Sequence, residues 1–195
     1  MEKETMKTKR IAIFPGLMLL IAMSAQAVDI PKTPFAMDPP KDWQTNNSGT
    51  MGTLIIFIDI PRDNFAANIN ILTEKVGDLG MEEYQKISND NLAKLITNFK
   101  LIKRDKIAIK GDPYCAFEYT GSQNKLDLHI YQVFTIYKGV VYLFTGTSLE
   151  KYAGEYMPVI KRSFQTIRFA GSPGNPNPAP STPGGQAPPR GGKSR

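Results

Sequence analysis

The chain has 195 residues, a formal net charge of +6 and a single cysteine. Most of the positive charge lies near the two ends, because residues 28–170 hold 17 Lys and Arg against 16 Asp and Glu. A domain this close to neutrality has no general attraction for a polyanion, so we expect no nucleic acid partner. The lone cysteine, Cys115, excludes an internal disulfide bond, and we expect it to be a buried, inert thiol.

The first 27 residues predict a cleaved secretory signal peptide. They contain in order a basic start, an apolar centre and a small-residue end: Lys7, Lys9, Arg10, residues 11–23, Ala25 and Ala27. The apolar centre is shorter than the roughly 20 residues that cross a bilayer, which favours a signal over a membrane helix. Cleavage after Ala27 would begin the mature chain at Val28, in the periplasm or outside the cell. Translation from Met1 and from Met6 both remain open.

The chain then alternates between extended segments and two helices. Prolines keep residues 28–40 extended, with a short edge strand at 33–37, and the polar residues 44–52 predict a loop. Apolar runs and period-two patterns predict six further strands, at 53–60, 67–76, 100–109, 114–120, 126–137 and 140–145.

The first predicted helix covers residues 80–98, with Gly80 as N-cap and Glu83 completing part of a capping box. Its apolar side chains recur every three to four residues. The second helix begins at Ser148 and runs to about Ile167, and Pro158 is expected to kink or divide it.

Short links between strands require antiparallel pairing, and apolar strands require cover on both sides. We therefore predict an α+β protein: an α/β/α sandwich with one mainly antiparallel sheet of six or seven strands and helices on both faces. The domain boundaries are 1–27 for the signal, 28–170 for the folded domain and 171–195 for a tail. The mature chain is expected to have no transmembrane segment.

The tail has an unusual composition, with seven Pro and six Gly in residues 171–195. Too little apolar surface is present to offset the entropy of ordering, so we expect a solvated, partly polyproline II segment. It serves either as a spacer or as a tether whose basic end contacts an anionic surface.

Few residues suggest chemistry. Asp59, Asp63 and Asn64 place oxygen ligands at the end of a strand and are candidates for Ca²⁺, although the spacing of a calcium-binding loop is absent. His129 is the sole histidine, and Asp127 on the same strand face could orient it as a base. The alternative for both groups is an ordinary structural role, and we expect no cofactor.

Tyrosines are numerous enough to form a contact surface with another protein. The candidate residues are His129, Tyr131, Tyr137, Tyr152 and Tyr156. Packing in the core or at its rim is the alternative for most of them. The basic cluster of residues 100–110 is similarly either a solvated strand face or a binding patch.

Short motifs from Pro39 to Phe169 resemble the PsbP/Mog-type superfamily, including the DcrB-type proteins of bacterial envelopes. The motifs are Pro40–Trp43, Met81–Tyr84, Asn98–Leu101, Gly111–Tyr114, Gln132–Phe134, Tyr142–Thr147 and Ser163–Phe164. The resemblance implies an α/β/α sandwich and an accessory, docking or assembly role without catalytic residues. Plant members are associated with calcium and chloride retention, but this chain offers no matching ligand cluster.

The leading expectation is an exported, non-enzymatic binding or assembly accessory protein of the cell envelope, with another envelope protein as partner. One alternative is a small-molecule or ion-binding protein, with calcium as a candidate ligand. The other is a hydrolase in which His129 acts as base.

Overall fold

The computed structural model describes residues 27–170. The predicted signal peptide, up to residue 26, and the predicted tail at 171–195 lie outside the described residues. No helix within 27–170 has the length and apolar character needed to cross a membrane.

A seven-stranded antiparallel sheet dominates the domain. Its spatial order is β3-β4-β5-β9-β8-β7-β6. The strands are β3 (Gln44–Asn46), β4 (Ile55–Ile58), β5 (Asn68–Lys75), β6 (Thr97–Ile109), β7 (Asp112–Gln123), β8 (Leu126–Tyr137) and β9 (Val140–Leu149). All neighbours in this order pair antiparallel, which confirms the predicted sheet and its α+β class.

Three tight hairpins set the register of the long strands. Strands β6 and β7 are joined by residues 110 and 111, with φ angles of 54° and 95°, and β7 and β8 by residues 124 and 125, with 51° and 65°. Strands β8 and β9 are joined by residues 138 and 139, with φ angles of 51° and 71°. Two consecutive residues with positive φ give a turn whose twist matches that of the flanking strands. The predicted link at 121–125 is therefore too long, because β7 continues to Gln123.

A second sheet of three short strands joins the two ends of the described chain. Strand β2 (Phe35–Met37) lies between β1 (Val28–Asp29) and β10 (Arg168–Phe169). The prediction of a short strand at 33–37 is thus confirmed, but its edge position is wrong, because β2 is the central strand of this second sheet. The polar segment predicted as a loop contains β3, which pairs with β4.

The two helices are α1 (Met81–Leu95) and α2 (Ala153–Phe164), and α2 continues through Pro158. The prediction that Ser148 caps the second helix is wrong. Strand β9 extends through Ser148, a 3-10 turn (Glu150–Tyr152) follows, and Tyr152 is the N-cap. Ser148 therefore belongs to the sheet, because β9 pairs with β8 over its whole length.

Alternate residues of the sheet enter two separate hydrophobic clusters. Tyr114 and Ala116 of β7 join the cluster that includes buried residues of α2. Cys115, Phe117 and Tyr119 of the same strand join the cluster that includes the buried residue of α1. Period-two alternation in β7 thus divides the core between two groups of side chains.

Candidate functional site

A cleft of about 600 Å³ lies between the segment after β2, the end of β4 and helix α2. It is lined by Asp38, Pro39, Pro40, Lys41, Asp42, Trp43, Asp59, Glu155, Tyr156, Val159, Arg162, Ser163 and Thr166. We call it the Trp43 cleft. It combines aromatic and proline side chains with charged groups of both signs, a composition suited to contact with another polypeptide.

Two aromatic rings form the centre of the Trp43 cleft. The rings of Trp43 and Tyr156 lie 6.3 Å apart at an interplanar angle of 59°. The Tyr156 hydroxyl donates a 2.9 Å hydrogen bond to Oδ2 of Asp59. Burial, together with this bond, raises the pKa of Tyr156. Two residues that the sequence analysis placed in different sites, Asp59 and Tyr156, therefore belong to one cleft.

The N-terminal wall of the cleft is fixed to the C-terminal end of the domain. Arg168 forms a 2.7 Å ion pair with Asp38, and the backbone N–H of Asp38 donates a 2.8 Å hydrogen bond to Oγ1 of Thr166. The Ser163 hydroxyl donates to the backbone carbonyl of Asp38. These contacts fix the position of that wall, and a wall that is already ordered lowers the entropic cost of binding.

A second cleft, of about 470 Å³, lies at the strand ends near Asp63. The Asp63 carboxylate accepts hydrogen bonds from Lys151 and, at 2.6 Å, from the Tyr152 hydroxyl. The bond from Lys151 is the largest cause of the lowered pKa of Asp63. The Arg62 guanidinium lies 4.1 Å from the centre of the Tyr152 ring and pairs with Glu155 at 2.9 Å.

The calcium candidates are therefore divided between two places. Asp59 lies in the Trp43 cleft and Asp63 in the second cleft, each bonded to a tyrosine hydroxyl. Asn64 occupies the turn after β4 with a φ of 62°. Within residues 27–170, no group of three or more His, Cys, Asp or Glu side chains could hold a metal ion. Calcium binding stays a prediction.

His129 is part of a charged cluster between the sheet and α2. Its Nε2 lies 2.9 Å from Oε1 of Glu118, and Lys161 of α2 donates to both Glu118 oxygens at 2.8 Å. Burial alone would raise the pKa of Glu118, but the bonds from Lys161 and His129 hold it below its ordinary value. The expected partner Asp127 instead accepts a 2.7 Å bond from Ser122.

Ser148 lies directly opposite His129 on the neighbouring strand. A serine, a histidine and a carboxylate are the components of a hydrolytic triad. However, Ser148 is fully buried, and its Oγ has no hydrogen-bond partner among the described residues. The serine is therefore neither bonded to His129 nor accessible to a substrate.

The other predicted contact tyrosines pack within the domain. Tyr131 stacks on Phe164 at 5.8 Å, with the Lys161 ammonium 4.9 Å from its ring centre. Tyr137 packs edge-on against Phe169 at 5.3 Å. The four tyrosines of the predicted contact surface thus pack in or against one hydrophobic cluster. Of these four, Tyr156 lines the Trp43 cleft.

Cys115 is buried, as expected, and burial raises its pKa. The basic cluster lies on β6, at the edge of the sheet, where Lys103 pairs with Asp105 at 2.7 Å and Lys106 with Glu82 at 2.5 Å. All five basic side chains of the cluster are exposed, as expected for a solvated strand face: Lys100, Lys103, Arg104, Lys106 and Lys110.

Sequence reasoning missed two residues that organise these sites. Trp43 is the sole tryptophan and follows two prolines, which is a usable signal for an aromatic contact residue. Glu118 carried no signal, because its contact with His129 depends on the register of β7 against β8.

The architecture is similar to that of several solved structures. One is a Pseudomonas aeruginosa protein of unknown function, PA94, described as a putative regulator. Its sequence is 23% identical and the TM-score is 0.53, and the match covers 72% of this chain and 94% of that chain. The cyanobacterial PsbP protein CyanoP from Synechocystis is 14% identical, with a TM-score of 0.55. The match covers 74% of this chain and 91% of CyanoP.

A third similar structure is LpqN of Mycobacterium tuberculosis, which is involved in cell envelope biogenesis. It is 13% identical, with a TM-score of 0.57, over 68% of this chain and 81% of that chain. No family model matches the chain, and no curated protein matches it significantly. At these identities the likeness concerns the fold, which is PsbP-like.

Proposed function

We propose that this protein is an exported, non-enzymatic binding or assembly accessory protein of the cell envelope, and that it contacts a partner protein through the Trp43 cleft. We also infer that α1 and α2 cover opposite faces of the sheet, as the sequence predicts. Alternate residues of β7, β8 and β9 belong to different clusters, and the buried side chains of α1 and α2 belong to different clusters as well.

The observation that carries the proposal is the composition of the Trp43 cleft. Trp43 supplies partly exposed aromatic area next to the largely buried Tyr156 ring, and the exposed charges of Asp42 and Arg162 lie in the same cleft. Aromatic and Arg side chains contribute most to protein interfaces. Asp59 accepts a hydrogen bond from a cleft tyrosine and Asp38 pairs with Arg168, an arrangement that suits recognition better than proton transfer.

The neighbours of the fold support a role in the envelope. LpqN is involved in cell envelope biogenesis, and the Pseudomonas protein is described as a putative regulator. The predicted signal at residues 1–27 would export this chain from the cytoplasm. The proposed DcrB-type relationship and the periplasmic or secreted location rest on these considerations.

Chemical cross-linking in envelope extract, followed by recovery of the tagged chain, tests the proposal. We expect a specific partner with the wild type and much less of it with Trp43→Ala. Arg162→Glu tests the same cleft without removing a packed ring, because Arg162 is exposed. Leu95→Ala is the matched control, since Leu95 is an 82% exposed apolar residue outside the cleft.

Circular dichroism must show that each variant is folded. Equal partner recovery by the wild type, Arg162→Glu and Trp43→Ala would refute the role of the cleft. Recovery of no partner at all would count against the accessory function itself.

A further inference from the structure

The Trp43 cleft has the chemistry of a groove that recognises proline-rich chains. Such segments bind as polyproline II helices between aromatic side chains, because their prolines already restrict the backbone and little entropy is lost. Pro39, Trp43 and Tyr156 all line the cleft. Trp43 is partly exposed, so part of its side chain is available to a ligand.

The chain carries a segment of the matching composition. Residues 171–195 contain seven prolines, and its last six residues contain Arg190, Lys193 and Arg195. No acidic residue occurs in the segment. A proline-rich segment is the class of ligand that aromatic-lined grooves accept.

The described part of the chain ends one short strand away from the cleft, because β10 leads from Thr166 at the cleft along β2 to Ala170. Strand β10 pairs with β2, and the backbone N–H of Ala170 donates a 2.7 Å hydrogen bond to Pro34. Arg168 forms an ion pair with Asp38, and Thr166 lines the cleft. A polyproline II segment rises about 3.1 Å per residue, so 25 residues reach well beyond a neighbouring cleft.

One exposed charge of the cleft is complementary to the segment. Of the four carboxylates that line the cleft, Asp38 forms an ion pair with Arg168 and Glu155 with Arg62, and Asp59 accepts the hydrogen bond from Tyr156. Asp42 is exposed, and no described side chain forms an ion pair with it. The basic end of residues 171–195 supplies the opposite charge.

We propose that residues 171–195 bind in the Trp43 cleft of their own domain and compete there with the partner protein. This inference rests on the proposed function, because it concerns the same cleft. Tethering gives the segment an effective concentration of about 1 mM, so a contact with a Kd of about 0.1 mM is occupied in about 90% of molecules. A partner must then displace the segment, which makes it a built-in competitor.

Acrylamide quenching of Trp43 fluorescence in the full chain tests the inference, since Trp43 is the only tryptophan. Changing all seven tail prolines to alanine is expected to raise the quenching constant at least about twofold, because the segment then leaves the ring. Replacing Arg190, Lys193 and Arg195 by serine is expected to give a smaller rise. The matched control replaces Asn175, Asn177 and Gln186 by alanine and should leave the constant unchanged.

A variant on the side of the cleft completes the test. Asp42→Asn removes an exposed carboxylate, and asparagine tolerates the Asp42 φ of 66°. In a chain with the native tail, Asp42→Asn should raise the quenching constant of Trp43. In a chain whose seven tail prolines are replaced by alanine, it should have no effect. Equal quenching in all tail variants would overturn the inference, as would protection that increases with protein concentration, since a second copy would then supply the segment.

Partner recovery separates the two proposals. If Trp43→Ala abolishes partner capture but the tail variants neither increase capture nor expose Trp43, the cleft function stands and the competition fails. If the tail protects Trp43 but no partner is ever captured, tail binding stands and the accessory function fails.

Discussion

The two helices have similar sequence patterns but very different depths of packing. Helix α2 has five buried residues, and Ile160 and Phe164 are 0% exposed. Helix α1 is longer but has one buried residue, Tyr84, while Leu95 and Ile87 are 82% and 43% exposed. An apolar stripe predicts that a helix packs somewhere, but not how much sheet lies beneath it. The firmly packed helix is the one that forms a wall of the Trp43 cleft.

The largest effect is expected for Phe164→Ala in α2. Removal of this fully buried ring leaves a cavity and should lower the free energy of unfolding by about 3–5 kcal/mol. Leu95→Ala in α1 is the matched change and should remain within about 0.5 kcal/mol of the wild type. Urea denaturation measures both, and similar losses would show that α1 packs as firmly as α2.

A smaller difference is expected for two glycines under the helices. A Cβ at Gly146 would lie 2.2 Å from Cγ2 of Ile160, and a Cβ at Gly121 would lie 2.2 Å from Cγ2 of Ile96. Ile160 cannot move without moving α2, so Gly146→Ala should cost about 2–3 kcal/mol. Ile96 is half-buried at the end of α1, so Gly121→Ala should cost about 1 kcal/mol. Thermal denaturation that ranks Gly121→Ala as the more damaging change would contradict the comparison.

The ion pairs of the two helices offer a third comparison. Lys161→Met removes the cation of α2 that holds Glu118, a carboxylate with only 15% of its side chain exposed. We expect a loss of about 1–2 kcal/mol at neutral pH. Lys106→Met breaks the contact with Glu82 of α1, where the two side chains are 67% and 80% exposed, and should cost clearly less, because solvent screens an exposed pair. Equal losses in chemical denaturation would exclude a special role for the partly buried pair of Lys161 and Glu118.

The smallest effect is a pH dependence. The pKa of Glu118 is lowered in the folded state, so Glu118 contributes stability above its unfolded pKa of roughly 4.3. That contribution disappears as the pH falls through the folded pKa, because the unfolded state binds the proton more readily. Glu118→Gln should therefore flatten the loss of stability between about pH 5 and pH 3. Glu82→Gln should change the same curve less, and the reverse order would refute the assignment.

The sequence anticipated the elements whose pattern is local. Strand β8 and the helix at 80–98 were predicted nearly to their ends, because alternation and helical spacing are visible over a dozen residues. Strand β3 was missed because its residues are polar and exposed, and only its pairing with β4 makes it a strand. The run at 53–60 was expected to be covered on both faces, yet only Ile55 and Phe57 of β4 are fully buried.

The candidate sites were harder to anticipate than the strands. Tyr156 and Asp59 were each named, but they are 97 residues apart in the chain, and their hydrogen bond exists only because α2 packs beside β4. Proximity in sequence favours Asp127 as the partner of His129. The carboxylate that contacts it is Glu118, which the antiparallel register brings from the neighbouring strand.

The pattern of apolar, polar and turn residues along the chain was enough to predict an antiparallel α+β domain with a single buried thiol. Such patterns act over short distances in the sequence. The composition of the two ends was likewise readable without any fold. The convergence of Pro39, Trp43, Asp59 and Tyr156 on one cleft was decided by packing, since it joins the segment after β2, the end of β4 and α2. Contacts of this range depend on how the core closes, and no local pattern encodes them.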